Sequence, residues 1–121
     1  MSNPSSNLFA VENEEHFATV MKTQVQPGQL VLLDFTATWC GPCQRMVPHL
    51  NALAQEYPNM MIIKVDVDEC QAVAQQFNVS SMPTFVFVRD AQIVGNFSGA
   101  SPPQLIQMSK QLNTPQVLND F

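Results

Sequence analysis

Two cysteines stand three residues apart in Trp39-Cys40-Gly41-Pro42-Cys43. An apolar run, Leu30-Val31-Leu32-Leu33-Asp34-Phe35, precedes them, and a stretch with helical spacing follows. The pair therefore falls at a strand-to-helix junction, with Cys40 at the helix N-terminus. Orphan backbone N–H groups and the helix dipole favour an anion there. A thiolate is such an anion, and it is the nucleophile of disulfide exchange. Cys43, one turn further in, is close enough to close a disulfide with Cys40 and more enclosed. Pro42 suits the first helical turn, where its missing N–H costs nothing. Gly41 lets the backbone of another chain approach closely. The chemistry predicted is thiol–disulfide exchange.

Two other uses of the pair are weaker. A structural zinc needs four ligands, and the remaining sequence supplies only Cys70, His16 and His49, without a second ligand pair. Inert core thiols would not call for a Gly-Pro pair at this junction. Asp34 is the second residue with chemical potential. An acid inside a buried apolar run must be paired or hold a raised pKa. A carboxylate at a strand end or sheet edge is the plainer reading.

The elements that position these groups alternate. Residues 8–11 read as a short edge strand. Asn13 caps a helix with Glu14 and Glu15 in its first turn, and Phe17, Val20 and Met21 share one face of it. Leu30–Phe35 fits a central strand buried on both faces. Met46, Leu50, Leu53, Ala54 and Tyr57 recur at spacings of three and four, with Pro48 predicted to kink that helix. Met60–Val65 is the next strand. A short helix over Cys70–Phe77 is predicted, capped by Asp68. Thr84–Val88 and Gln92–Phe97 form an antiparallel hairpin through Arg89–Ala91. Ser101-Pro102 opens a last helix that runs to about Leu112. The order βαβαβαββα implies an α/β fold with a mixed central sheet and helices on both faces. The expectation is one domain over residues 1–121, with a core of about 8–112 and terminal extensions at 1–7 and 113–121.

The chain has 121 residues, 45% of them apolar and 12% charged, and a formal net charge of −5. Its five cations, Lys22, Arg45, Lys64, Arg89 and Lys110, are scattered. Nucleic acid and an anionic membrane surface both require concentrated positive charge, so neither is an expected partner. No apolar run approaches the roughly 18 residues needed to span a bilayer. Met1–Asn7 lacks the charged start and apolar stretch of a signal peptide, and the expected location is the cytoplasm. No Gly-rich phosphate loop occurs, so no cofactor is expected on the chain.

The stretch Leu33-Asp34-Phe35-Thr36-Ala37-Thr38-Trp39-Cys40-Gly41-Pro42-Cys43 resembles the active-site strand and loop of the thioredoxin family. Val65-Asp66-Val67-Asp68-Glu69-Cys70, Met82-Pro83-Thr84-Phe85 and Phe97-Ser98-Gly99-Ala100 resemble the animal-type cytosolic members in order and spacing. The resemblance covers roughly residues 8–112 and implies the thioredoxin fold.

It further implies a role for each matched position. Asp34 lies beneath the dithiol and relays a proton for Cys43, with Lys64 near it. Pro83 follows a cis peptide and packs on the dithiol, while the backbone of Met82 receives an extended substrate. Trp39, Gly41, Pro42, Met82, Pro83, Gly99 and Ala100 form a flat, weakly polar docking face. Cys70 is either a silent half-buried thiol, the expected case, or a secondary regulatory thiol. The chain departs from the animal-type pattern twice. Ser81 replaces a further cysteine, which removes a route to disulfide dimers, and Gln44 stands where a lysine commonly follows the second cysteine.

The expected activity is reduction of disulfides in target proteins. Cys40 attacks, Cys43 resolves, and an NADPH-dependent thioredoxin reductase recycles the product. Peroxiredoxins are among the implied partners, and a monomer is expected. The competing reading is a redox-sensitive binding module whose dithiol state controls partner docking.

Overall fold

The computed structural model describes residues 6–113. Most of the two expected terminal extensions, residues 1–5 and 114–121, lies outside them. The elements run β1 (Leu8–Val11), α1 (Glu14–Thr23), β2 (Val31–Thr36), α2 (Gly41–Arg45), α3 (Val47–Glu56), β3 (Met61–Asp66), α4 (Gln71–Gln76), β4 (Thr84–Arg89), β5 (Gln92–Ser98) and α5 (Pro102–Leu112). The strands form one sheet in the order β1-β3-β2-β4-β5. β1, β3 and β2 are parallel, and β4 and β5 are antiparallel to their neighbours. The sheet is therefore mixed, with β1 at an edge and β2 in the middle.

Strand alternation sorts the core into two layers. Val31, Leu33 and Phe35 of β2 join Phe17 and Val20 of α1 and Val73 and Ala74 of α4. Leu30 and Leu32 join Leu50, Leu53 and Ala54 of α3 and Leu105 of α5 on the opposite face. Asp34 keeps the alternation of Leu32, so it shares the α3 side of the sheet.

The helix after the dithiol is broken, with α2 ending at Arg45 and α3 starting at Val47. The break falls at Met46, two residues before Pro48. Pro48 offers no N–H to the carbonyl of Gln44 and crowds it. The Met46 N–H turns back to the carbonyls of Cys43 and Gln44 instead. Far from the dithiol, Asn7 closes the other end of α3. Its side-chain amide donates to the carbonyls of Ala54, Tyr57 and Met60 at 2.7–3.1 Å.

The hairpin turns at Asp90 and Ala91, both with positive φ (51° and 64°). That is the two-residue turn whose twist matches a hairpin, met here without a glycine. Asp90 Oδ1 accepts from the Gly28 N–H at 2.8 Å, which ties the turn to the α1–β2 loop. Beside it the Arg89 guanidinium donates to the carbonyls of Gly28 at 3.0 Å and Leu112 at 2.7 Å. The C-terminus of α5 is thus pinned at the hairpin end of the sheet.

One expected cap is wrong. Asp68 does not cap the helix after β3, because α4 has Cys70 at its N-cap position and no cap bond from that side chain. The Glu14 carboxylate of α1 reaches across to the N–H groups of Ala72 and Val73, the second at 3.2 Å. A charged acceptor from a neighbouring helix satisfies the orphan donors that a local side chain would otherwise take.

Candidate active site

The site lies where β2 ends. The parallel strands β1, β2 and β3 all bring their C-terminal ends to this side of the sheet. Cys40 is the N-cap residue of α2 with extended backbone, and Pro42 lies in the first turn. Its Sγ accepts from the Cys43 N–H at 3.2 Å. A sulfur at this position receives a backbone donor and the positive end of a helix, both of which favour thiolate over thiol. Cys40 and Cys43 form a disulfide, with Cα atoms 5.3 Å apart. Both side chains are buried in a small cluster with Ala37, against which Val67 and Met82 pack.

The expected docking residues gather around this disulfide. Gly41 and Pro42 are exposed in the same turn, and Trp39 is 67% exposed. The Met82-Pro83 peptide is cis, as the resemblance implied. Gly99 donates its N–H to the Pro83 carbonyl at 2.9 Å, which ties the end of β5 to the start of β4. Gly99 (φ 108°) takes a backbone conformation that side chains rarely adopt. Gly99 and Ala100 are exposed, Met82 is half-buried and Pro83 is buried.

Asp34 is 3% exposed. Burial raises its pKa from 3.8 to about 7, and the charge of Lys64 opposes that rise. Lys64 is its register partner on β3. The same alternation that puts Asp34 on the α3 side puts Lys64 there, beside Ile62. Lys64 is half-buried and lines a groove of about 180 Å³ with Ala37, Thr38, Gln44, Val47 and Asp66. β3 is flanked on both sides, so Lys64 is not an edge residue.

Cys70 is fully buried rather than half-buried. Its thiol pKa is raised by burial and by the negative charges of Glu14, Asp66 and Glu69. Both effects keep the thiol protonated and unreactive.

Sequence reasoning missed two contributors. Val67 packs on the dithiol cluster. Asp68 Oδ2 accepts from the Trp39 indole Nε1–H at 2.9 Å, across 29 positions of sequence. No local pattern announces a bond of that span. Among the described residues, no group of three or more His, Cys, Asp or Glu side chains could hold a metal ion. No helix there is long and apolar enough to cross a membrane.

The thioredoxin family model matches residues 8–111. Over 99 residues the chain is 39% identical to a thioredoxin H-type of Picea mariana, covering 82% of this chain and 79% of that protein. It is 48% identical to the thioredoxin of Homo sapiens over 77 residues, covering 64% and 73%. Among solved structures it superposes on a thioredoxin of Nicotiana alata with a TM-score of 0.83 at 34% identity, covering 92% of this chain and 96% of that one. A chain solved in a study of how yeast mitochondrial 1-Cys peroxiredoxin is resolved through glutathione and thioredoxin systems superposes with a TM-score of 0.76 at 36% identity, covering 90% and 99%. The relatives span plants, yeast and mammals and favour no one branch of the family.

Proposed function

The chain belongs to the thioredoxin family, and from that premise we propose how its dithiol is used and restored. The protein is a thiol–disulfide oxidoreductase that reduces disulfides in target proteins through Cys40 and Cys43. In the proposed cycle the Cys40 thiolate attacks one sulfur of a target disulfide. That bond breaks, one target thiolate leaves, and a mixed disulfide remains. Cys43 then attacks the Cys40 sulfur, the second target thiolate leaves, and the Cys40–Cys43 disulfide forms. Two electrons pass from the dithiol to the target.

Asp34 accepts the Cys43 proton in this reading. A carboxyl with a pKa of about 7 is poised to take a proton and return it near neutral pH. It sits on the sheet face that packs under the helix following Cys43. Lys64, its register partner, opposes the rise of its pKa and itself lines the solvent groove. Trp39, Gly41, Pro42, Met82, Pro83, Gly99 and Ala100 serve as the docking face.

An NADPH-dependent thioredoxin reductase returns the two electrons, and peroxiredoxins are among the proposed targets. The peroxiredoxin association of one structural neighbour supports the second point. We assign the chain to the animal-type cytosolic branch on its Val65–Cys70, Met82–Phe85 and Phe97–Ala100 segments, and propose that it works as a monomer in the cytoplasm. A dithiol that must be re-reduced after each turnover suits a reducing compartment.

The observation that carries the functional reading is the Cys40–Cys43 bond at a helix N-terminus, with Cys40 Sγ receiving the Cys43 N–H. Reduction of insulin disulfides with NADPH and a thioredoxin reductase tests it. Steady NADPH consumption that needs both the chain and insulin is expected. Consumption no faster than without the chain would overturn the reading.

A further inference from the structure

Trp39 is the only tryptophan of the chain, and most of its ring stands in solvent. So exposed a side chain has little packing to select its rotamer. Its directional hold is the bond from Nε1–H to Asp68 Oδ2. A carboxylate acceptor makes that bond charge-assisted and stronger than a neutral one.

The loop bearing Asp68 is itself fixed. Asp66 Oδ1 accepts from the N–H groups of Asp68 at 2.8 Å and Glu69 at 3.3 Å. The Cys70 N–H bonds to the Asp66 carbonyl and the Val67 N–H to the Thr36 carbonyl, both at 2.9 Å. Val67 then meets the dithiol cluster while Asp68 meets the indole. Two neighbouring residues of one braced loop therefore touch the sulfur site and the docking wall.

We propose that Asp68 is a positioning residue for target docking. It holds the Trp39 indole as a fixed wall against which a protein target seats beside the dithiol. The gain is preorganisation, since the ring need not be ordered when a target arrives. The sulfur chemistry is untouched. Small disulfides, which do not span the docking face, therefore gain nothing from the bond. The inference rests on Trp39 belonging to the docking face proposed above.

The test compares the reduced wild-type chain with Asp68→Leu, Asp68→Asn, Trp39→Phe and the Asp68→Leu/Trp39→Phe double variant. Two oxidants are used, insulin and hydroxyethyl disulfide. Asp68→Leu should slow oxidation by insulin about three- to tenfold and leave the rate with hydroxyethyl disulfide within about twofold. Asp68→Asn, whose side-chain oxygen can still accept, should recover most of the loss. Phe has no N–H, so Trp39→Phe should show the insulin-selective loss and Asp68→Leu should add nothing to it. Fluorescence anisotropy of Trp39 should fall in Asp68→Leu, because the freed ring moves faster.

Equal slowing with both oxidants would overturn the proposal, as would no slowing. So would an Asp68→Asn chain as slow as Asp68→Leu, or an Asp68→Leu cost undiminished in the Trp39→Phe background. If the wild-type chain fails to reduce insulin, it is the functional reading that falls. Unchanged anisotropy in Asp68→Leu then still overturns the hold of Asp68 on the ring. Should Asp68→Leu fail to fold, Trp39→Phe breaks the same bond from the other side.

Discussion

Asp34 and Lys64 are register partners on adjacent parallel strands, an acid and a base side by side on the buried α3 face of the sheet. The pairing does not hold the acid ionised. Desolvation of a nearly enclosed carboxyl outweighs the attraction of a half-buried ammonium, and the pKa settles at about 7. Asp34 is thus a standing cost to the fold at neutral pH.

Replacing Asp34 with Asn should remove that cost. The folded pKa lies above the unfolded value of 3.8, so between the two the native chain binds more protons. Stability therefore falls as pH rises from about 4 to about 7 and is level above that. Asp34→Asn should stabilise the disulfide form on the order of 3 kcal/mol at pH 8 and clearly less at pH 5. Denaturant midpoints at the two pH values measure this. A variant less stable than wild type at pH 8 contradicts the assignment.

The same substitution should slow resolution of the mixed disulfide roughly tenfold to a hundredfold, since in the proposed cycle Asp34 is the proton acceptor of Cys43. Quenched-flow trapping of the mixed disulfide would show it accumulating. Unchanged kinetics would leave Asp34 as a structural carboxylate only.

Cys40→Ser should abolish insulin reduction, and Cys43→Ser should leave targets covalently attached to Cys40. Non-reducing gels of Cys43→Ser mixed with oxidised insulin check the order of attack. Normal turnover by Cys43→Ser would refute it.

Cys70 should resist alkylation in the folded disulfide form. It is fully buried, and its pKa is raised by burial and by Glu14, Asp66 and Glu69. Iodoacetamide at pH 8 should label it only as fast as the chain opens, and Cys70→Ser should keep insulin reduction within about twofold. Rapid labelling of the native protein would make it an accessible regulatory thiol.

Glu14→Gln should loosen α4 by about 1 kcal/mol, because a neutral amide oxygen replaces a carboxylate at the Ala72 and Val73 N–H groups. Hydrogen exchange at those two amides should accelerate more than exchange in β2. Uniform exchange across the chain would show that the cap is dispensable.

Much of this architecture was legible in the chain itself. Apolar runs marked β2 and β4, the spacing of Leu50, Leu53 and Ala54 marked α3, and Asn13 and Ser101 were readable as caps whose side chains accept from His16 and Gln104. Asp34 stood out because charge inside an apolar run is costly wherever the run folds. What could not be read depends on distant partners. Asp68 looked like a helix cap by position, but the capping carboxylate comes from Glu14, 58 residues from Ala72, and Asp68 turns to Trp39 instead. The turn at Asp90-Ala91 takes two positive φ values without a glycine, and the residue that anchors Asp90, Gly28, is far off in sequence.

The Arg89 bridge between Gly28 and Leu112 carries a practical corollary. β4 runs opposite to β2, so the end of α5 that Arg89 pins lies at the pole remote from Cys40. A bead, an electrode or a second protein attached at Leu112 or Asn113 therefore sits a strand's length away from the dithiol. Immobilisation through that end leaves the Trp39 side of the molecule facing the solution.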